Sequence, residues 1–281
     1  PASVTSVDFN QEEVVASLDN GRRFSGKLLV AADGQRSHIR DLSGISYISD
    51  SYEQTALAAV IRTEQKHNHI ARQRFLDSGI LALLPLADDS YCGLVWSTEP
   101  DNAEFMKSTS EKAFCNLLNH ASESVLGQVL ECISRQNFPL QSAQAERYCQ
   151  HRLALIGDAA HSVHPLAGQG ANLGIMDAAV LAEEIHQAKQ RQRDFGEHHY
   201  LRRYERRRRG DNIMMMNVFS SFKQLFENQL YPVPLLRNTG MNILNKIVPA
   251  KRWIMHRAMG LTGDIPEEIK ISNFIKKKFI I

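Results

Sequence analysis

Apolar and polar positions at the start of the chain follow the two-residue period of β-strands. Val4 to Phe9 and Val14 to Leu18 carry this alternation, and Asp19-Asn20-Gly21 provides a turn after the second. The run Lys27 to Ala32, apolar after its first residue, ends at Asp33-Gly34. That is the pattern of a buried strand whose C-terminal end meets a loop, where ligands collect in α/β folds. Strand-like stretches recur at Ala56 to Thr63, Arg72 to Leu76, Ile80 to Leu84 and Tyr91 to Trp96, predicting an inserted antiparallel sheet. Ser110 to Ser134 shows helical spacing in two pieces separated near His120. Leu153 to Ile156 is again a buried strand, running into Gly157-Asp158. Gly170 to Ala188 predicts a helix with Leu173, Met176, Val180 and Leu181 on one face. From about Phe195 the spacing is mostly helical, broken at Pro232, Pro234 and Pro249. The order predicts an α/β fold, an α+β mixture in which a strand–helix framework is interrupted by a β-rich insert and finished by helices.

Composition narrows the class. The 281 residues allow one large domain or two joined ones, and 43% hydrophobic with 23% charged residues predicts a packed core. No apolar run approaches the ~18 residues a membrane helix needs; the best, Gly79 to Ala87, contains Pro85. No charged-then-apolar opening marks a signal peptide. Cys92, Cys115, Cys132 and Cys149 lie far apart, unlike zinc pairs or a dense disulfide framework, so reduced thiols in a cytoplasmic protein are expected. Charge is uneven. Residues 191–281 hold 18 Lys and Arg against 8 Asp and Glu, while the first 190 hold 15 against 23. A basic C-terminal third reads either as a solvated helical face or as a surface for an anionic membrane or acidic partner.

The stretch Leu153 to Asp177, LALIGDAAHSVHPLAGQGANLGIMD, is where chemistry is expected. A buried strand delivers Asp158 to its C-terminal edge, where a carboxylate can accept hydrogen bonds from ribose-type hydroxyls. Pro165 stiffens the following loop, Gly168, Gly170 and Gly174 permit close backbone approach, and a helix start offers unpaired N–H groups. Such a start attracts negative charge. A tight strand-to-helix turn with no ligand would use the same glycines. His161 and His164 have a spacing that zinc tolerates, but no further ligands accompany them and no metal is expected. His67, His69, His198 and His199 are expected at the surface. Arg206 to Arg209 lacks interleaved aromatics and reads as a helical surface or interface, not a nucleic-acid site. Met214, Met215 and Met216 precede Val218, Phe219, Phe222, Leu225 and Phe226 on a helical period, for which core packing is the default.

Taken together, Gly157-Asp158, the proline and Gly168-Gln169-Gly170-Ala171-Asn172 closely resemble the second flavin motif of the para-hydroxybenzoate-hydroxylase-like FAD monooxygenases. Leu28 to Arg40, LLVAADGQRSHIR, resembles that family's upstream Asp-Gly motif. Within the family, Tyr204 to Arg209 with Asp211-Asn212, and Met259 to Asp264, are most similar to the ubiquinone-biosynthesis hydroxylases. The resemblance implies FAD as cofactor and NAD(P)H as reductant, with one atom of O2 inserted into the ring of a polyprenylated phenol. It assigns Asp158 to the ribityl or ribose hydroxyls, Pro165 to the vicinity of the isoalloxazine ring, and Gly168, Gln169, Gly170, Ala171 and Asn172 to its pyrimidine edge. It associates Asp33 and Arg36 with the cofactor region and pyridine-nucleotide use. No side chain is assigned a catalytic role.

The implied organisation is an FAD-binding domain in two parts, residues 1–45 and 151–190, a substrate domain over 46–150 and a helical extension over 191–281. The family's N-terminal Gly-x-Gly-x-x-Gly fingerprint does not occur, and the chain opens with Pro1. The expectation is therefore a C-terminal portion of a longer enzyme, inactive and a poor binder of FAD as it stands. A gap in its framework sheet would favour a homo-oligomer. Other ubiquinone-biosynthesis proteins and a peripheral position on the inner membrane complete the expected surroundings. Two alternatives remain: a prenyl-reducing flavoprotein reductase of the same superfamily, and a non-catalytic scaffold subunit.

Overall fold

The computed structural model describes residues 2–163, 169–227, 232, 235, 239–240, 247–258 and 264–266. Pro165, Gly168 and the Met259 end of the Met259–Asp264 motif lie outside the described residues. The chain divides into two compact units, residues 50–141 and the flanking segments 1–49 with 142–281.

The flanking unit opens with strands β1 (Val4–Phe9), β2 (Val14–Leu18) and β3 (Arg23–Gly26), an antiparallel sheet in the order β1-β2-β3. β4 (Leu29–Ala31) follows, then the short helix α1 (His38–Leu42). β5 (Tyr47–Thr63) leads into the insert. There β6 (Arg72–Leu76), β7 (Gly79–Pro85) and β8 (Tyr91–Thr98) precede helices α2 (Pro100–Ser108) and α3 (Glu111–Ala121), and β9 (Val129–Ala145) leads out. The flanking unit resumes with β10 (Cys149–Gln150), β11 (Leu153–Leu155), a 3-10 turn at Gly157–Ala159 and β12 (His161–Ser162). Helices α4 (Gln169–Gln190), α5 (His198–Glu227) and α6 (Val248–Ala258) close the chain.

In the insert the strands lie in the order β9-β5-β8-β7-β6, and β5 to β8, β8 to β7 and β7 to β6 are antiparallel. Register explains which face is buried. Leu57 opposes Trp96, Trp96 opposes Leu81, and Leu94 opposes Ala59 and Leu83, so these side chains share a face. That face packs with Met106 of α2 and Phe114 and Leu118 of α3 into one core. Ser110 caps α3 by accepting a hydrogen bond from the Ala113 amide.

Several expectations need correction. The second helical piece predicted before Ser134 is strand β9. Its apolar residues mimic helical spacing, yet Leu130 and Ile133 are exposed while Val129 joins the core, and pairing beside β5 decides the conformation. His67 is fully buried, not superficial. Its Nδ1 accepts the His69 amide hydrogen at 3.0 Å and its Nε2 faces the Asp88 carbonyl at 3.2 Å, so both ring nitrogens are satisfied. Those bonds also engage the lone pair a metal would need, although His67, His69 and Asp89 approach one another within 4.8 Å. Arg208, expected on a solvated or interfacial face, is 2% exposed.

In the flanking unit β11 pairs with β4 in parallel, Leu153 opposite Leu29 and Leu155 opposite Ala31, and β10 pairs with β11 on its other side. Parallel pairing brings both strand ends, Asp33-Gly34 and Gly157-Asp158, to the same edge of the sheet. Ala31, Leu153, Ala154 and Leu155 pack against Val180 and Leu181 of α4 and Leu201 and Tyr204 of α5. The α4 stripe Leu173, Met176, Val180 and Leu181 faces inward as its spacing requires. On α5, by contrast, Ile213, Met214 and Val218 are exposed, and the side chains of Phe219, Phe222, Leu225 and Phe226 lie outside the described residues.

Candidate functional site

At the end of β11 the chain turns sharply. Gly157 takes φ +59°, a left-handed value that glycine adopts without steric penalty. A Cβ on Gly174 of α4 would stand 3.1 Å from the Gly157 Cα, so the turn and the helix approach through two glycines. Beside them, Asp158 is exposed and its carboxylate accepts no hydrogen bond from the described residues, while its main-chain oxygen accepts one from the Tyr47 hydroxyl at 3.1 Å. Ala171 and Asn172 in the first turn of α4 are also exposed, and Gly170 is half-buried beside Val163.

The Asp-Gly turn after β4 borders the same segment. Gln35 Nε2 donates to Ser162 Oγ at 3.4 Å, and buried Arg40 donates to the carbonyls of Ala159 and Gln35 at 3.1 Å each. The Arg40 guanidinium also stacks over the Tyr47 ring at 3.7 Å. Burial pushes the Tyr47 hydroxyl up to about 12 despite that cation, so it remains a donor at neutral pH. Asp33 is exposed and each of its carboxylate oxygens already accepts one hydrogen bond from its own loop. Its Oδ1 accepts from Ser37 Oγ at 2.5 Å and its Oδ2 from the Ile39 amide at 3.1 Å, which fastens the start of α1. Arg36 is exposed. Of the residues proposed from sequence, the structure thus gathers Gly157, Asp158, Asp33 and Arg36 at one sheet edge. It places Gly170, Ala171 and Asn172 on the helix that packs against the turn, with the Gln169 backbone opening that helix.

Beneath this edge lies a polar network that the motifs did not reveal. Asp177 of α4 is fully buried and accepts four hydrogen bonds. Its Oδ2 receives the Gly157 amide at 3.0 Å and pairs with His161 Nε2 at 2.6 Å. Its Oδ1 receives Arg208 Nε at 2.7 Å and Asn212 Nδ2 at 3.3 Å. Arg208 Nη2 also donates to Asn212 Oδ1 at 2.8 Å. Burial alone would raise the Asp177 carboxyl, but the His161 and Arg208 hydrogen bonds and charges outweigh it and hold the carboxyl below the usual range. The Tyr148 ring stacks on His161 at 5.8 Å, Tyr204 donates to the Leu155 carbonyl at 2.6 Å, and Glu205 accepts the Tyr148 amide at 3.1 Å. Next to Arg208, Arg207 points the other way, to Glu183, Glu184 and Asp264 at 2.5–2.8 Å. A signal for the buried members was present: Asp177 falls in the Leu173, Met176, Val180, Leu181 stripe, and Arg208 and Asn212 continue the Leu201, Tyr204 spacing.

With this geometry in view, the chain matches the family described as FAD binding domain over residues 2–215. It is 36% identical over 267 residues to the ubiquinone hydroxylase UbiL of Rhodospirillum rubrum, covering 95% of this chain and 62% of that protein. It is also 36% identical over 276 residues to the mitochondrial ubiquinone biosynthesis monooxygenase COQ6 of Xenopus tropicalis, covering 86% and 59%. The chain spans about three fifths of the length of these curated relatives. Among solved structures, p-nitrophenol 4-monooxygenase PnpA from Pseudomonas putida DLL-E4 superposes with a TM-score of 0.74 at 19% identity, covering 94% of this chain and 67% of that one. The anhydrotetracycline hydroxylase OxyS from Streptomyces rimosus gives 0.67 at 23%, covering 94% and 53%. At these identities the structural likeness is one of fold.

Proposed function

The chain belongs to the family of FAD binding domains, and from that membership we propose that the protein is a flavin-dependent monooxygenase hydroxylating the ring of a polyprenylated phenol on the route to ubiquinone. The observation that carries the reading is the 36% identity, over 95% of this chain, to a ubiquinone hydroxylase.

The donor set at the sheet edge suits FAD. Asp158 offers a carboxylate with no hydrogen-bond donor among the described residues, fitted to accept from ribityl or ribose hydroxyls. Helix α4, 22 residues long, begins at Gln169, and the start of a helix carries main-chain N–H groups without intrahelical acceptors. The helix dipole favours negative charge there, as on a reduced flavin ring. Glycine at 157 and 174 lets the turn and helix close without side chains between them. Pro165 and Gly168 keep their proposed places near the ring by resemblance. Asp33 acts indirectly, by fixing the loop that carries exposed Arg36. Bound FAD would contribute the redox and oxygen-activating chemistry, with NAD(P)H as the electron source. The chain's own residues bind and orient it, and no side chain here is needed as a covalent nucleophile.

The insert, residues 50–141, is proposed as the substrate domain. The basic C-terminal third is proposed to meet the sparingly soluble substrate at an anionic membrane surface; no described helix is long and apolar enough to cross a membrane. Oxygen uptake tests the proposal. The full-length protein with FAD and NAD(P)H should consume O2 faster when a polyprenylphenol is added. Uptake unchanged by the phenol would reject the substrate, and absent flavin binding would reject the enzyme.

A further inference from the structure

Asp158 and the Gly157 turn are held by a buried device that no cofactor contact explains. We propose that Asp177, together with His161 and Arg208, is a positioning set that sets flavin affinity by fixing the Gly157–Asp158 turn; this rests on the FAD reading above.

The central group is the Gly157 amide. In a left-handed turn at a strand end this N–H cannot join the β-ladder, and buried polar groups without partners are costly. Asp177 Oδ2 accepts it at 3.0 Å, one turn of helix past Gly174, the residue that touches Gly157. The same oxygen is pinned by His161 Nε2, so the carboxylate ties the two sides of the turn, residue 157 before Asp158 and residue 161 after it. On its far side Arg208 and Asn212 of α5 fix the other oxygen. All four residues are at most 2% exposed. A fully satisfied buried network of this kind restricts its members to one arrangement. A buried carboxylate placed merely to neutralise Arg208 would not need to reach the main chain beside Asp158. The apolar stripe of α4 could have continued through position 177, as it does at Leu173 and Val180. The carboxylate interrupts the stripe where the turn needs an acceptor. Arg40 and Tyr47 hold the carbonyls of Ala159 and Asp158 from the opposite side, so the turn is gripped through its main chain while the Asp158 carboxylate is left for the ligand.

The test uses His161, because its loss leaves the Asp177–Arg208 pair intact. In the full-length protein, His161→Leu keeps an apolar body but removes the donor; His161→Gln retains an N–H that can reach Asp177. The first readout is amide hydrogen exchange across residues 155–163. The second is FAD affinity by quenching of flavin fluorescence. Exchange in this segment should accelerate in His161→Leu and return toward wild type in His161→Gln. The FAD dissociation constant should rise about tenfold in the leucine variant and recover to within about threefold in the glutamine variant. Faster exchange with an unchanged dissociation constant would overturn the positioning role and leave the FAD reading standing. Wild-type protein that binds no FAD would overturn both. Equal weakening in the two variants would show that the ring's bulk matters, not its hydrogen bond, and would also overturn the proposal.

Discussion

Asp177→Ala removes the acceptor for four donors at once, and the consequence can be worked from the geometry. Arg208 at 2% exposure and Asn212 at zero would be left facing a cavity, and the Gly157 amide would lose its partner. Breaking a buried ion pair from one side costs about 3–5 kcal/mol, because the surviving charge stays buried. For a chain of this size that lowers the unfolding midpoint by on the order of 10 °C. The pair's net worth is much smaller than that penalty, so the double variant Asp177→Leu/Arg208→Met should cost less than the sum of its two single changes. Calorimetry on the four proteins closes the cycle. A pH series gives a second check. Because the folded Asp177 carboxyl lies below its ordinary value, its stabilisation is fully present above the unfolded value of about 4 and fades as pH falls through the lower folded value. The gap between wild type and Asp177→Asn should therefore narrow only in acid. A loss under about 1 kcal/mol, or strict additivity in the double variant, would refute the reasoning.

Two further outcomes follow from the same edge. Asp158→Ala should raise the FAD dissociation constant roughly ten- to a hundredfold, the worth of a charge-assisted hydrogen bond of about 1.5–3 kcal/mol. Thermal midpoint should barely move, since the side chain is exposed; normal flavin content in the purified variant would reject the role. Gly174→Ala should destabilise by about 1–3 kcal/mol in urea titration, because its Cβ would meet the Gly157 Cα at 3.1 Å and a backbone atom cannot swing aside. An unchanged urea midpoint would show that the helix and turn separate freely.

The strands were legible where burial on one face imposes alternation, as in β1, β2 and β6 to β8, and where a continuous apolar run marks a strand covered on both sides, as in β11; β4 forms from such a run but leaves Val30 exposed. β9 was misread because Leu126, Val129, Leu130 and Ile133 happen to fall at helical intervals. Nothing local in the sequence reveals that β5 lies beside them. α2 was not anticipated; it begins at Pro100, a residue at ease in the first turn of a helix, and its stripe is weak. The motif residues at the ends of β4 and β11 could be named because glycine and aspartate at a strand end have few purposes. Their supports could not be named as a set. Arg40 and Tyr47 act on main-chain carbonyls, which no side-chain motif records. Arg208 was hidden inside Arg206 to Arg209, where four identical residues on a helix must point in different directions. Only the spacing from Leu201 and Tyr204 tells which one is buried.

The central claim, oxygen transfer to a polyprenylphenol, is tested most directly by isotope. The full-length protein supplied with FAD, NAD(P)H, the phenol and oxygen-18 gas should yield a ring-hydroxylated product carrying one heavy oxygen atom. A product with its ring unchanged and its prenyl double bonds reduced, or a hydroxyl drawn from water instead of the gas, would contradict the account.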